Sequence, residues 1–340
     1  MNTNNMSNEA SLFFPHRIDR WNPVESIHRE VAFELRDRYH ITGYYESECP
    51  DVLDRGIRIG RNSSRSLKLL KHLYAFSKKY DIVHTGPSRL SRFALLSSLR
   101  GAEVVHTFHS PLINKEGIHQ RELASVDRAS AVTAVSRYVR DDVKNTLDIN
   151  KEISIIPNGV DLSLYNPSQS ETENQICLFV GRLIERKNPE FIINLAREVP
   201  EKDFYIRGSG PLFDNLKVNQ RELNNLHLVS KLPEYKLAEL YSKASVLLCP
   251  FVNEGFGMVV LEALASDTPV IGLNSGNLPH LITKNSGLIC EELDTSEWIS
   301  SIYEIDKSPN QFSPREESRN YAWPVVAEQY QSLYSDLTQN

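Results

Sequence analysis

Residues 249–265 read CPFVNEGFGMVVLEALA. An apolar strand over Val246–Cys249 ends at Pro250, a short loop carries Asn253, Glu254 and Gly255, and a helix begins near Gly257. A strand that feeds a helix through a glycine-bearing loop is the repeating unit of parallel α/β sheets. The first turn of such a helix offers amides without internal partners at the positive end of its dipole, which suits a phosphate. Gly255 and Gly257 let the backbone approach a ligand closely. Glu254 precedes the helix and Glu262 lies eight residues on, inside it. That spacing rules out an i,i+4 pair. Two readings stand: both carboxylates serve a site, or Glu254 caps the helix while Glu262 faces solvent.

Outward from this unit the same alternation continues. Ile176–Val180, Phe204–Ile206, Leu226–Leu228 and Val270–Gly272 read as strands, with helices over Pro189–Glu198, Leu212–Leu216, Tyr235–Ala244 and Gly257–Ala265 between them. The first half has the same rhythm. Strands are expected at Ile82–His84, Glu103–Phe108, Ala131–Ala134 and Ile153–Ile156, and helices at Leu67–Lys79, Ser91–Leu99, His119–Ala124 and Arg137–Leu147. Ser318–Leu337 reads as a closing pair of helices interrupted at Pro324. Short apolar strands separated by helices imply parallel sheets covered on both faces, hence two Rossmann-like α/β domains. The polar, turn-rich stretch Asn166–Asn174 marks the boundary. The expected domains are 1–165 and 166–320, followed by a closing helix over 321–340. Ligands of open α/β sheets bind outside the carboxyl ends of the strands, which places a site in a cleft between the two domains.

Composition narrows the class. The chain has 340 residues, 40% apolar and 24% charged, as expected of a globular protein with a sizeable core. No apolar run approaches the ~20 residues of a membrane span. The polar start Met1–Ala10 lacks a signal-peptide layout, so a cytoplasmic location is expected. Cys49, Cys177, Cys249 and Cys290 are widely spaced, with no zinc or disulfide framework, and Cys177 and Cys249 fall in apolar strands as small buried side chains. The net charge of −6 divides unevenly, with +3 through Pro167 and −9 beyond. Between residues 55 and 100, Arg55, Arg58, Arg61, Arg65, Lys68, Lys71, Lys78, Lys79, Arg89, Arg92 and Arg100 face the single acid Asp81. Such a run is either a solvated face or a surface for an anionic partner. Lys68, Lys71, Lys78 and Lys79 fall in a helix that also carries Leu69, Leu70, Leu73 and Phe76, and an anionic membrane surface is the expected partner if the run is functional. Nucleic acid is not expected, because no aromatic stacking platform accompanies the charges.

Other candidates sit at strand ends. Gly181-Arg182-Leu183 leaves a strand into a loop with Arg186 and Lys187, where a guanidinium and an ammonium suit a diphosphate. Arg186 reads as surface charge. Arg207-Gly208-Ser209-Gly210-Pro211 is a strand-to-helix turn with two glycines that lacks the third glycine of a dinucleotide fingerprint. His109 follows a strand, and His106 lies inside it as a structural side chain.

Four segments, IIPNGVD at 155–161, GRL at 181–183 with Lys187, the G-x-G-P turn at 208–211, and EGFG at 254–257 with Glu262, together resemble the retaining glycosyltransferases of family 4, which have the GT-B fold. The resemblance runs from Thr107 to about Ile289 and takes in the Trp323 segment. It implies a closing helix that packs back on the N-terminal domain. It also implies metal-independent hexosyl transfer, with retention, from a nucleotide diphosphate sugar to an acceptor glycan or glycolipid, without a cofactor. By that resemblance Glu254 contacts the transferred sugar, Glu262 bonds the ribose, and Arg182 and Lys187 neutralise the diphosphate. The amides of Phe256, Gly257, Met258 and Val259, with Gly255, Gly181 and Gly208, complete the nucleotide cradle, and His109 approaches the sugar's hydroxymethyl side. The chain departs from the family pattern at Phe13–Pro23, where a double glycine is usual, at Asp267, where glycine is usual, and at His280, where a carboxylate is usual. A binding protein without activity and a GT-B-like sugar-nucleotide epimerase are the alternative readings.

Overall fold

The computed structural model describes residues 10–17, 23–45, 49–58, 65–87, 94–113, 119–167 and 176–339. The expected features at Met1–Glu9, 18–22, Arg61, Arg89, 91–93 and 168–174 lie outside the described residues. The chain divides into two compact units, residues 1–159 with 323–340, and residues 160–322.

The first unit is a seven-stranded parallel sheet. Its elements run β1 (Ala10–Arg17), α1 (Pro23–Leu35), β2 (Tyr39–Tyr45), β3 (Arg55–Arg58), α2 (Arg65–Phe76), β4 (Ile82–Thr85), α3 (Ala94–Ser98), β5 (Glu103–Phe108), α4 (His119–Arg128), β6 (Ala131–Ala134), α5 (Arg137–Leu147) and β7 (Ser154–Ile155). The strand order is β3-β2-β1-β4-β5-β6-β7. β4 is buried along its whole length, its polar His84 and Thr85 included. The boundaries of α5 are set locally. The Ser136 side chain accepts from the Val139 amide at 3.1 Å, and Asp148 closes the helix in the left-handed region at φ 50°.

The second unit is a six-stranded parallel sheet. It contains β8 (Ile176–Val180), α6 (Pro189–Glu198), β9 (Asp203–Arg207), α7 (Phe213–Gln220), β10 (Leu226–Val229), α8 (Glu234–Lys243), β11 (Val246–Cys249), α9 (Met258–Ala265), β12 (Val270–Leu273), α10 (Leu278–Leu281), β13 (Gly287–Cys290), α11 (Thr295–Lys307) and α12 (Pro314–Ser318). The order β10-β9-β8-β11-β12-β13 is the doubly wound arrangement, with its reversal between β8 and β11.

The last helix, α13 (Trp323–Thr338), belongs to the first unit, as the resemblance implies. Trp323, Val326, Ala327, Tyr330 and Tyr334 share one core with Leu12, Phe14, Val31, Ile82 and Val105. A polar chain fixes the docking. The Tyr334 hydroxyl lies 2.6 Å from His84 Nδ1, His84 Nε2 lies 2.6 Å from Thr107 Oγ1, and Thr107 pairs with Thr133 at 2.6 Å. A Cβ at Gly159 would come within 2.4 Å of the Trp323 ring, so glycine is required where the indole crosses.

Pro324 does not interrupt a helix. It stands in the first turn of α13, where its missing N–H is one that no intrahelical acceptor would have used. His106 is structural, buried with Nε2 3.2 Å from Oε2 of the equally buried Glu122. Cys177, Cys249 and Cys290 are buried, and Cys49 is exposed.

Candidate active site

Where strand order reverses, neighbouring loops leave in opposite directions and open a crevice at the carboxyl ends. In the second unit those loops are 181–188 after β8 and 250–257 after β11. They meet at Lys187 and Glu254. The Lys187 ammonium donates to Oε2 of Glu254, and Arg186 stands 3.8 Å from the same oxygen. Lys187 Nζ also lies 3.6 Å from the centre of the Phe251 ring, a cation–π seat. Lys187 is buried, whereas Arg186 is half-exposed. Loss of water pulls the Lys187 pKa below its ordinary value, and Glu254 draws it back up.

The loop that carries Glu254 is clamped by the segment after β12. The Asn253 amide donates to Ser275 Oγ at 2.9 Å, the Asn277 amide donates to the Glu254 carbonyl at 2.8 Å, and Asn277 Nδ2 donates to the Phe256 carbonyl at 2.9 Å. Gly276 makes this contact possible. Its φ is 64°, and a Cβ there would come within 2.5 Å of the Glu254 backbone. Gly257, at φ 105°, then turns the chain into α9, whose first backbone bonds close from Val260 and Leu261 onto the Gly257 carbonyl. The amides of Met258 and Val259 therefore head the helix at its positive end.

Glu262 lies one turn further on in sequence and within the same helix. The Tyr241 hydroxyl, from α8, donates to its Oε2 at 2.8 Å. Removal of water raises the Glu262 pKa to about 6, against the pull of Tyr241 and Arg207. Arg207 ends β9, and its Nε is buried without a hydrogen-bond partner among the described residues.

The glycines divide into two kinds. A Cβ at Gly208 would come within 2.0 Å of the Gly181 carbonyl, so Gly208 is required for two loop backbones to touch. A Cβ at Gly181 would meet nothing nearer than 3.7 Å, so packing within the protein makes no demand for glycine there. Arg182 is exposed on the same loop. His109 belongs to the first unit, at the carboxyl end of β5, with its ring edge-on to His28 of α1 at 5.2 Å.

Asp267, where the family usually has glycine, has a φ of 64°. Its Oδ1 accepts from the Arg315 amide at 3.2 Å. His280 is exposed at the third residue of α10. No motif in the sequence marks Tyr241, Ser275 or Asn277, and Arg207 opens the turn at 207–211 without a role of its own. Tyr241 comes from α8, Arg207 from the end of β9, and Ser275 and Asn277 from the one segment between β12 and α10, and no spacing in the chain announces that they meet. Among the described residues no group of three His, Cys, Asp or Glu side chains is arranged to hold a metal ion.

Two family descriptions match the chain, Glycosyltransferase Family 4 over residues 28–164 and Glycosyl transferases group 1 over residues 164–322. The D-inositol 3-phosphate glycosyltransferase of Corynebacterium efficiens is 25% identical over 307 residues, which span 76% of this chain and 72% of that one. The alpha-maltose-1-phosphate synthase of Mycolicibacterium smegmatis is 25% identical over 255 residues, 64% of this chain and 66% of that one. Among solved structures, sucrose-phosphate synthase from Thermosynechococcus elongatus has a TM-score of 0.80 at 20% identity, covering 96% of this chain and 99% of its own. Anabaena HepE, solved with UDP and glucose, has a TM-score of 0.78 at 16% identity, covering 96% and 99%. The fold is GT-B.

Proposed function

Because the chain belongs to the family 4 glycosyltransferases, we propose that it moves a hexose from a nucleotide diphosphate sugar to an acceptor hydroxyl on a glycan or glycolipid, with retention. The observation that carries this reading is the meeting of Lys187 and Glu254 at the β8–β11 reversal, beside the amide-rich start of α9. A diphosphate laid against Met258 and Val259 accepts from their amides, and Lys187, with Arg182, offsets its growing charge as it leaves. Glu254 serves the departing sugar, Glu262 the ribose, and His109 remains the proposed sugar contact from the first unit. In the proposed same-face reaction the anomeric carbon–phosphate oxygen bond breaks as the acceptor oxygen bonds to that carbon. The acceptor proton passes to the leaving phosphate. The carbon is oxocarbenium-like at the transition state, as in glycoside hydrolysis.

The test is thermal unfolding across a panel of nucleotide sugars, followed by assay of nucleoside diphosphate release. A true donor at ~100 times its Kd adds about 2.7 kcal/mol of stability. A panel that leaves the transition unmoved and releases no diphosphate sinks the reading.

A further inference from the structure

Helix α2 turns its apolar side to water. Its inner side is held by three residues. Phe76 is fully buried and edge-on to Phe13 at 5.3 Å, Ala75 is buried beside it, and His72 Nδ1 lies 3.1 Å from the Tyr44 hydroxyl. With half-buried Lys68 they follow the i, i+4, i+7, i+8 spacing of a single helical face. The opposite half therefore carries Leu67, Leu69, Leu70, Leu73 and Tyr74, exposed by 44, 45, 61, 38 and 57%. Ser97 Oγ donates to the Phe76 carbonyl at 3.4 Å, which brings the turn after α3 alongside, and there Leu99 is 75% exposed. Contiguous large apolar side chains on a folded surface mark an interaction site.

The rim is positive. Lys71 Nζ donates to the Arg58 carbonyl at 2.8 Å, which sets the edge strand β3 and its exposed Arg55 and Arg58 beside the helix. Lys78 Nζ stands 4.4 Å from the centre of the Tyr74 ring, and Lys79 and Arg100 are exposed. The nearest acids in sequence are engaged elsewhere. Asp54 accepts from the Ile41 amide, and Asp81 accepts from the Ser11 amide and hydroxyl.

We propose that this face docks on an anionic phospholipid bilayer, with the leucines and Tyr74 entering the boundary between headgroups and acyl chains and the lysines and arginines against the headgroups. An apolar face ringed by cations matches that surface in both charge and depth. A second copy of the chain fits less well, because a two-fold contact sets the same positive rim against itself. Among the described residues no helix is long and apolar enough to cross a membrane. The proposal does not depend on the glycosyl-transfer reading.

The experiment is co-sedimentation of the full chain with vesicles of phosphatidylcholine alone or mixed with phosphatidylglycerol, at low and high salt. Binding is expected to rise with phosphatidylglycerol and to fall with added salt, since surface charges are screened within roughly 8 Å at physiological ionic strength. Leu67→Gln, Leu70→Gln and Tyr74→Gln combined should weaken partitioning at least about tenfold, as expected for apolar area no longer leaving water. These side chains are exposed, so the thermal transition of the variant should stay near that of the parent. Tyr74→Trp should shift its emission to the blue on vesicles. Absence of binding at low salt overturns the proposal. So does binding that the three glutamines leave intact, or a concentration-dependent dimer that Leu70→Gln dissociates.

Discussion

The hydroxyl of Tyr241 donates to Oε2 of Glu262 across 2.8 Å and ties α8 to the helix that heads the candidate site. A carboxyl largely removed from water is thereby held by one neutral donor and by the more distant Arg207, and its pKa rises to about 6. Thr268 Oγ1 donates to the Tyr241 carbonyl at 2.6 Å and fixes the other side of the tyrosine.

This gives stability a pH dependence. The native Glu262 carboxyl keeps its proton up to about pH 6, whereas the unfolded one releases it near the ordinary glutamate value of 4.5. Between those values the native state binds more protons, so stability falls as pH rises through the window. The loss attributable to this group is about 2 kcal/mol. In Glu262→Gln that part of the slope should vanish, as read from urea midpoints at roughly pH 4.5, 5.5 and 6.5, which span the window. An unchanged slope places the titrating group elsewhere.

Phe251 and Glu254 hold the Lys187 ammonium at the strand ends, and the proposed function sets it against a leaving diphosphate. Lys187→Ala should lower kcat and kcat/KM together by about a hundredfold, the scale of losing one preorganised donor that acts as charge develops. Single-turnover rates with the donor found by thermal shift provide the measurement. A wild-type rate removes Lys187 from the chemistry.

The two glutamates should separate by role. A ribose contact is the same in ground and transition states, so Glu262→Gln should mainly weaken nucleotide binding. Glu254→Gln should lower turnover and leave nucleotide affinity nearly intact. Calorimetric Kd values set beside kcat decide the matter, and equal effects from both variants refute the division.

Asp267 occupies a left-handed conformation at φ 64°, which costs a residue with a Cβ roughly 1–2 kcal/mol. Asp tolerates it better than most residues, and the Arg315 amide bond to its carboxylate adds support. Asp267→Val should therefore lower stability by about 1–2 kcal/mol, whereas Asp267→Gly should be near neutral, relief of strain offsetting the lost bond. A valine variant that melts with the parent shows that the turn carries no strain.

Several elements were legible because local chemistry decides them. Val246–Cys249, Ile176–Val180, Glu103–Phe108 and Ala131–Ala134 are apolar, β-branched and of strand length, and they form the strands their pattern predicts. Arg137–Leu147 and Pro189–Glu198 carry their own start signals, Ser136 and Pro189. The first sixty residues resisted reading. β1 contains a proline at Pro15, β2 contains Gly43, and β3 lies at the sheet edge, so their strand character comes from pairing with neighbours rather than from propensity. α2 shows how far a pattern can mislead about direction. Its leucines recur at helical spacing and read equally well as core, but His72, Ala75 and Phe76 take the inner side because Tyr44 and Phe13 are there to receive them.

By itself, the sequence determined the alternation of strand and helix, the glycine-bearing loops after β8 and β11, and the residue types those loops carry. Each of these is written in a window of about ten residues, within which backbone preference and hydrophobic period act. Tertiary structure alone decided which of those residues meet. Lys187 and Glu254 are 67 residues apart and come together because strand order reverses between β8 and β11. Tyr241 reaches Glu262, and Tyr334 reaches His84 from 250 residues away, through helices packed on shared sheets. Contacts of this kind depend on the closure of long loops and the packing of whole faces, which no local window records.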